Sequence, residues 1–340
     1  MARMEFGIML RGQYPRGEDM VVRFQEMCEQ ARAAERLGYG CITKGSHYAG
    51  APLMDLQQIP FLARIMAEAP SCRLNAGIVL LSLHKPLDIA EQLATLDVMS
   101  GGKLIFGCAL GYREVEFRAF GTTQRERVPR LEENLLAIKR LWTEDRVSMK
   151  GSHFELMDAS LGMRPVQQPH PPIWMGANAD AGIRRAARLA DCWYAPPHNR
   201  IDTIARQADV YRRELDALGR PFPDEFPMRR EVFVAPTREE ALRRCAGPLE
   251  AKYRAYHQWG QDKPMPEGDN DLAQALDDLI RERFFIGSPD EVAEDILDAQ
   301  RRTGINHLII STHWPGMEHQ AAMDSMQLFA EEVMPRVRGA

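Results

Sequence analysis

Residues 97–121 read DVMSGGKLIFGCALGYREVEFRAFG. The periodic apolar run before them stops at the Gly101-Gly102 pair, as expected of residues that take up positive φ without a Cβ clash. Residues 104–109, LIFGCA, then form a short apolar run that opens straight into a glycine turn carrying Tyr112, Arg113, Glu114 and Glu116. A strand that is apolar on both faces must be covered on both faces, the condition of a parallel sheet. A buried strand discharging into a polar and aromatic loop is how an α/β barrel builds an active-site rim.

The same unit recurs along the chain. Strand-like runs fall at 5–10, 41–44, 74–81, 104–109, 173–176, 192–195, 230–235 and 307–311. Between them the apolar period is helical, as in Met20, Phe24, Met27, Ala31 and Ala34, in Val128, Leu131, Leu135, Ile138 and Trp142, and in Val292, Ile296 and Ala299. The expected class is α/β, a TIM-type (β/α)8 barrel, which needs roughly 250 residues before insertions. An open doubly wound sheet is the alternative; no G-x-G-x-x-G follows the first strand to support it. Two connections are long and read as insertions after strands four and seven. Residues 143–172 hold a small hairpin (147–156) and the run PVQQPHPP, and 236–287 hold a helical insertion around GQDKPMPEGDND. The strand pattern resumes beyond 287, so a single domain over 1–340 is expected.

With 45% apolar and 27% charged residues the 340-residue chain has material for a large core. A net charge of −5 offers no positive field for nucleic acid or an acidic membrane. The six cysteines are scattered without a C-x-x-C and read as small buried hydrophobes in a reducing compartment. MARMEFGIML enters a strand with no cationic leader, and the apolar run near 77–83 is too short for a bilayer, so a cytoplasmic protein is expected. H-E-x-x-H, Walker and G-x-S-x-G motifs are missing. His313 and His319 are too far apart for one helical metal face, so no metal is expected.

The quoted stretch, extended to PLDIAEQLATLDVMSGGKLIFGCALGYREVEFRAFG, resembles the bacterial luciferase-like flavin monooxygenases. So do FGIML, PPIWMGANADAGIRRAARLADCW, GSPDEVAEDI and FAEEVMPRVR, in the family's order over nearly the whole chain. The resemblance implies a barrel, commonly homodimeric, that holds FMN or the deazaflavin F420 at the C-terminal ends of its strands. It implies a non-proline cis peptide behind the flavin at Gly77-Ile78, where an ordinary buried strand is the other reading. It places His47 beside flavin and substrate, where a histidine can move protons near neutral pH; a structural histidine is the competing reading.

Tyr112 and Arg127 are implied phosphate contacts, although Arg127 within RERVPR could equally be a surface residue. Directly after the Gly176-Ala177 strand end, Asn178 starts a helix (178–188) whose N-terminus suits a phosphate, or the stretch is simply a βα turn capped by Asn or Asp. Trp174, Tyr194, His198, His313 and Trp314 fall at or beyond strand ends and are candidates for the substrate wall, with Trp174 equally a core residue. The chain departs from true luciferases in having Lys44 ahead of the histidine motif, Ala109-Leu110 in place of a cysteine and an arginine, and Gly176-Ala177 in place of a carboxylate and a serine. Light emission is not expected.

The leading functional expectation is a monooxygenase that receives reduced FMN from a separate flavin reductase and uses O2 to oxygenate a small organic substrate. An F420-dependent hydride-transfer oxidoreductase and a non-catalytic flavin-binding barrel are the alternatives. Residues 236–287 are the expected lid.

Overall fold

The computed structural model describes residues 3–339. Nine parallel strands form the main sheet: β1 (Glu5–Met9), β2 (Cys41–Lys44), β3 (Arg73–Leu80), β4 (Leu104–Ala109), β5 (Ile173–Gly176), β6 (Cys192–Tyr194), β7 (Pro227–Val234), β8 (Phe285–Gly287) and β9 (His307–Ser311). Their order is β6-β5-β4-β3-β2-β1-β9-β7-β8. The sheet curls on itself: just past β6, Ala195 bridges Met228 of β7, with Ala195 N donating to Pro227 O (2.9 Å) and Arg229 N to Ala195 O (3.1 Å). β8 lies outside this ring, paired only to the last residues of β7. It was not expected from sequence, because three residues, FIG, are too short to show a period. β7 also begins earlier than the expected 230, so Arg229 joins Arg230 and Glu231 inside the strand.

Residue chemistry fixes the element ends. The helix α1 (Met20–Arg36) starts where the Asp19 carboxylate accepts from Val21 N at 2.8 Å. α2 (Pro86–Met99) opens on proline and ends before Gly101 and Gly102, at φ +66° and +80°. The buried Asp97 carboxylate accepts from Leu104 N (3.3 Å), Gln167 N (3.0 Å) and Gln167 Nε2 (2.7 Å), tying the entry of β4 to the chain leading to β5. α3 (Arg127–Thr143) and the pair Val147–Lys150/Glu155–Ala159 follow β4; α4 (Asp180–Leu189) follows β5. After β7 comes the long α5 (Arg238–Gln258), and α6 (Pro289–Thr303) starts in a capping box of Ser288 and Glu291.

The main core lies between strands and helices. Inside the ring Met9, Cys41, Ile105, Trp174, Tyr194 and Ile309 fill the floor. All six cysteines are buried and unpaired. Among the described residues no helix is long and apolar enough to cross a membrane.

Candidate active site

The C-terminal ends of the strands surround a cavity of about 400 Å³. Met9 of β1, His47 beyond β2, Ile78 of β3, Ala109 of β4, Gly176 of β5 and Tyr194 of β6 all line it. Its β3 wall is irregular. The Gly77-Ile78 peptide is cis, and the β3–β4 register shifts between Ala76 and Val79. The two strands touch backbone to backbone at this point: a Cβ on Gly107 would lie 2.7 Å from Ala76 O and 2.8 Å from Gly77 Cα. Glycine at 107 is therefore a packing requirement.

One end of the cavity is formed by two helix starts. Arg127 is the first residue of α3 and donates to Gln124 Oε1 (3.3 Å) and Gly111 O (3.5 Å). The Tyr112 hydroxyl is buried with no hydrogen-bond partner in the protein, and burial drives its pKa well above the usual phenol value. Opposite stands the first turn of α4, with Ala179, Ala181 and Gly182 on the cavity wall. Asn178 is not the cap of that helix. The N-cap is Ala179, with no side-chain hydrogen bond, while the Asn178 carbonyl accepts from Gln207 Nε2 (2.8 Å) and Asn199 Nδ2 (3.2 Å). Those two side chains fix the turn instead.

His47 stands among the rings of Tyr112, Tyr256 and Trp259, with centroids 5.6–6.3 Å away. Its Nδ1 is buried, 3.5 Å from Glu116 Oε1, and makes no hydrogen bond. Glu116 itself accepts from Tyr48 N (3.0 Å) and Arg113 Nη1 (3.2 Å), so the acidic turn of the quoted stretch braces the histidine loop. Arg113 lies flat over Trp259, 4.2 Å from its centroid. The segment after α5 thus folds across the mouth, and Tyr256, Gln261 and Pro264 complete the wall.

The remaining side is cationic. Glu231 Oε1 accepts from Arg229 Nη2 (3.2 Å), Arg11 Nη2 (3.3 Å), Tyr253 Oη (3.4 Å) and Lys252 Nζ. Burial alone would raise this carboxyl; Lys252, Arg11 and Arg229 outweigh it and hold Glu231 well below the ordinary carboxylate range. Burial, reinforced by Arg11, lowers the Lys252 ammonium well below its usual value. His198 donates to or accepts from Tyr253 Oη at 3.1 Å; burial, then Arg229 and Lys252, push its pKa well below the normal histidine value, which makes it neutral. Lys44 pairs with Asp55 at 2.6 Å on the same rim.

Of the sequence candidates, His47, Gly77, Ile78, Tyr112, Arg127, Gly176, Ala177, Asn178, Tyr194 and His198 meet at this cavity. Trp174, His313 and Trp314 do not line it. Trp174 sits one layer below, against Tyr194 and His307, its Nε1 donating to Glu225 Oε2 at 3.3 Å. His313 packs on Tyr14 and pairs with Met317 O at 3.3 Å. Trp314 packs on Phe233 of β7 and donates to Glu231 Oε2. Trp174 stands where its core reading put it, while for His313 and Trp314 a place beyond a strand end did not state which way the side chain turns. Arg11, Arg229 and Tyr256 were overlooked, and Arg113 and Glu116, read as part of the rim, brace the histidine loop. The signal for Arg229 and Glu231 was there: consecutive charges inside the apolar strand PMRREVFV.

The family model for luciferase-like monooxygenases matches residues 4–307, and the chain belongs to that family. An FMNH2-dependent dimethylsulfone monooxygenase of Pseudomonas putida is 31% identical over 268 residues, covering 74% of this chain and 71% of that protein. An F420-dependent glucose-6-phosphate dehydrogenase of Amycolatopsis mediterranei is 27% identical, covering 75% and 76%. The crystal structure of monooxygenase RslO1 from Streptomyces bottropensis superposes with a TM-score of 0.85 at 26% identity, covering 98% of this chain and 99% of that one. Relatives in this family thus use either FMN or F420.

Proposed function

We propose that the protein is a monooxygenase that takes up reduced FMN from a separate flavin reductase and uses O2 to oxygenate a small organic substrate. In this reading it is a single (β/α)8 barrel domain with insertions after strands four and seven, acting as a cytoplasmic homodimer. One observation carries it. A cavity at the strand ends has a glycine-lined wall at Gly77-Ile78, helix starts with Arg127 at one end, and the His47 side chain on its wall with Nδ1 turned to Glu116.

The residues suit a phosphorylated flavin. Arg127 and the first turn of α4 offer a guanidinium and a helix N-terminus to a phosphate. Gly182 permits that turn to close on Ala177, since its Cβ would lie 2.9 Å from the Ala177 Cβ. The buried Tyr112 hydroxyl, without a partner in the protein, is a donor that such a phosphate would satisfy. Gly77, Ile78 and Gly176 provide a surface without long side chains for a planar ring system. FMN, when bound in reduced form, supplies the electrons for O2 activation. The protein's own tasks are placement, proton control and dryness. The His47 imidazole can give or take a proton at the reacting centre, with Nδ1 turned to Glu116, which also sets the orientation of its loop. Trp259, clamped by Arg113, and Pro264 keep water out of the mouth.

Reconstitution with FMN and a generic flavin reductase, with a compound panel assayed for oxygen-coupled turnover, tests the reading. His47→Ala is expected to lose most turnover, on the order of a hundredfold, with FMN affinity unchanged. An unaltered rate removes His47 from the chemistry. Parallel titration with F420 is the decisive comparison, because the relative from Amycolatopsis mediterranei uses it. Tighter binding of F420, with hydride transfer and no oxygen uptake, would replace the monooxygenase reading.

A further inference from the structure

We infer that the substrate is a small organic anion, held by its carboxylate or sulfonate head at Arg229 on the β6–β7 side of the cavity. The inference rests on the proposed flavin reading of the same cavity and adds to it the chemical class of substrate.

The charge balance is the first support. Arg11, Arg229 and Lys252 all converge on Glu231, and each of their side chains is nearly or fully shielded from water. Lys44 contributes nothing further, because Asp55 neutralises it. Arg230, the next residue of β7, turns to the other face of the strand and donates to Pro196 O. Even with Lys252 neutral, two guanidiniums stand against one carboxylate. Buried charge of one sign is costly unless it meets its opposite.

The second support is an unused donor. Arg11 is fully engaged, by Ser311 (3.4 Å), Gln13 (3.4 Å), Tyr256 (2.7 Å) and Glu231 (3.3 Å), and serves as a brace. Arg229 is not. Its Nη2 reaches Glu231, but its Nε is buried with no partner in the protein, and the side chain lines the cavity. The hydroxyl of Tyr194, on the neighbouring strand, is likewise buried, unpartnered and on the cavity wall. Two orphaned donors on adjacent strands, beside surplus positive charge, are what a planar or tetrahedral oxyanion would satisfy.

Position separates this cluster from the phosphate end. In the ring order β7 stands three strands from β4, whose following loop and helix carry Tyr112 and Arg127, and β6 separates it from β5, which leads into α4. The cavity wall also carries apolar surface from Met9, Pro196, Pro197 and Pro264. That wall suits an organic body behind the acid group and gives no reason for a bare inorganic ion to stay.

The test is calorimetric binding to the FMN-loaded protein of matched pairs. Methanesulfonate, acetate, benzenesulfonate and benzoate are compared with dimethyl sulfone, acetamide, methyl phenyl sulfone and benzamide. The anions are expected to bind at least about tenfold more tightly than their neutral partners. Arg229→Gln should erase that preference and leave FMN affinity within about twofold, with Arg229→Lys in between. Neutral partners binding as well as the anions, no binding by any probe, or a preference that survives Arg229→Gln would each overturn the inference. Loss of FMN rather than of the anions in Arg229→Gln would also overturn it, by assigning the charge to the cofactor. The wild-type comparison stands even if a variant fails to fold. If FMN does not bind but the anion preference persists on the bare chain, the flavin reading fails and the anion site stands.

Discussion

At the scale of single residues, Glu231 determines most of what the charged side of the cavity can be. Its two oxygens are shared among Arg229, Arg11, Lys252 and Tyr253 on one and Trp314 on the other. Trp314 is therefore a positioning residue for this carboxylate. Trp314→Phe keeps the ring and removes the donor. It is expected to cost about 1–3 kcal/mol in denaturant unfolding, the penalty of an unsatisfied buried charge contact, with FMN affinity unchanged. Gly107 is constrained in a simpler way. Gly107→Ala would drive a methyl into the backbone of Ala76 and Gly77, so a loss of about 1–3 kcal/mol is expected. Flavin titration of this variant should also show weakened binding, because the wall displaced is the one beside Ile78.

At the scale of elements, the long connections divide into a brace and a cover. The turn after β4 braces the His47 loop through Arg113 and Glu116, and the segment after α5 covers the mouth by laying Trp259 on Arg113. Arg113→Met should release both at once. The expected outcome is greater release of hydrogen peroxide per flavin oxidised during turnover, together with a loss of stability from leaving the buried Glu116 without its cation; unchanged coupling would deny the cover its role. The quoted stretch made this legible in part. A wholly apolar strand entering a turn rich in charges could be read as a site rim from residue types alone. So could the helices, whose apolar spacing extends over several turns. β8 and the inward direction of Arg229 could not be read, because three residues carry no period and a strand's two faces are assigned only once its neighbours are known. The cover was recognisable only as a long insertion; which of its aromatics would meet His47 depends on contacts hundreds of residues apart in sequence.

For the whole molecule, pH enters through buried histidines. Burial holds His307 and His313 down to about 4. These folded values lie below the unfolded one of about 6.5, so on acidification the unfolded chain takes up protons first. Stability from each is complete above about pH 6.5 and is lost progressively down to about pH 4, up to about 3 kcal/mol per histidine. Asp295, pushed up to about 6 by burial, acts in the opposite sense over part of that range. The clean measurement is thus a difference. Unfolding free energies of wild type and His313→Gln, compared at pH 7.5 and 5, should show a shallower decline in the variant.

The join between β6 and β7 has a consequence for how the ring breathes. Everywhere else neighbouring strands share a ladder; here one residue, Ala195, carries the closure through two backbone contacts. Amide deuteration should begin at Ala195 and Arg229 well before it reaches the interior of β3 or β4. The residues that follow Ala195, through Pro196 and Pro197 to His198, are also wall of the cavity. An occupant pressed against them would fasten the weakest stave of the barrel, and the slowing of exchange at that stave would report its arrival without any turnover.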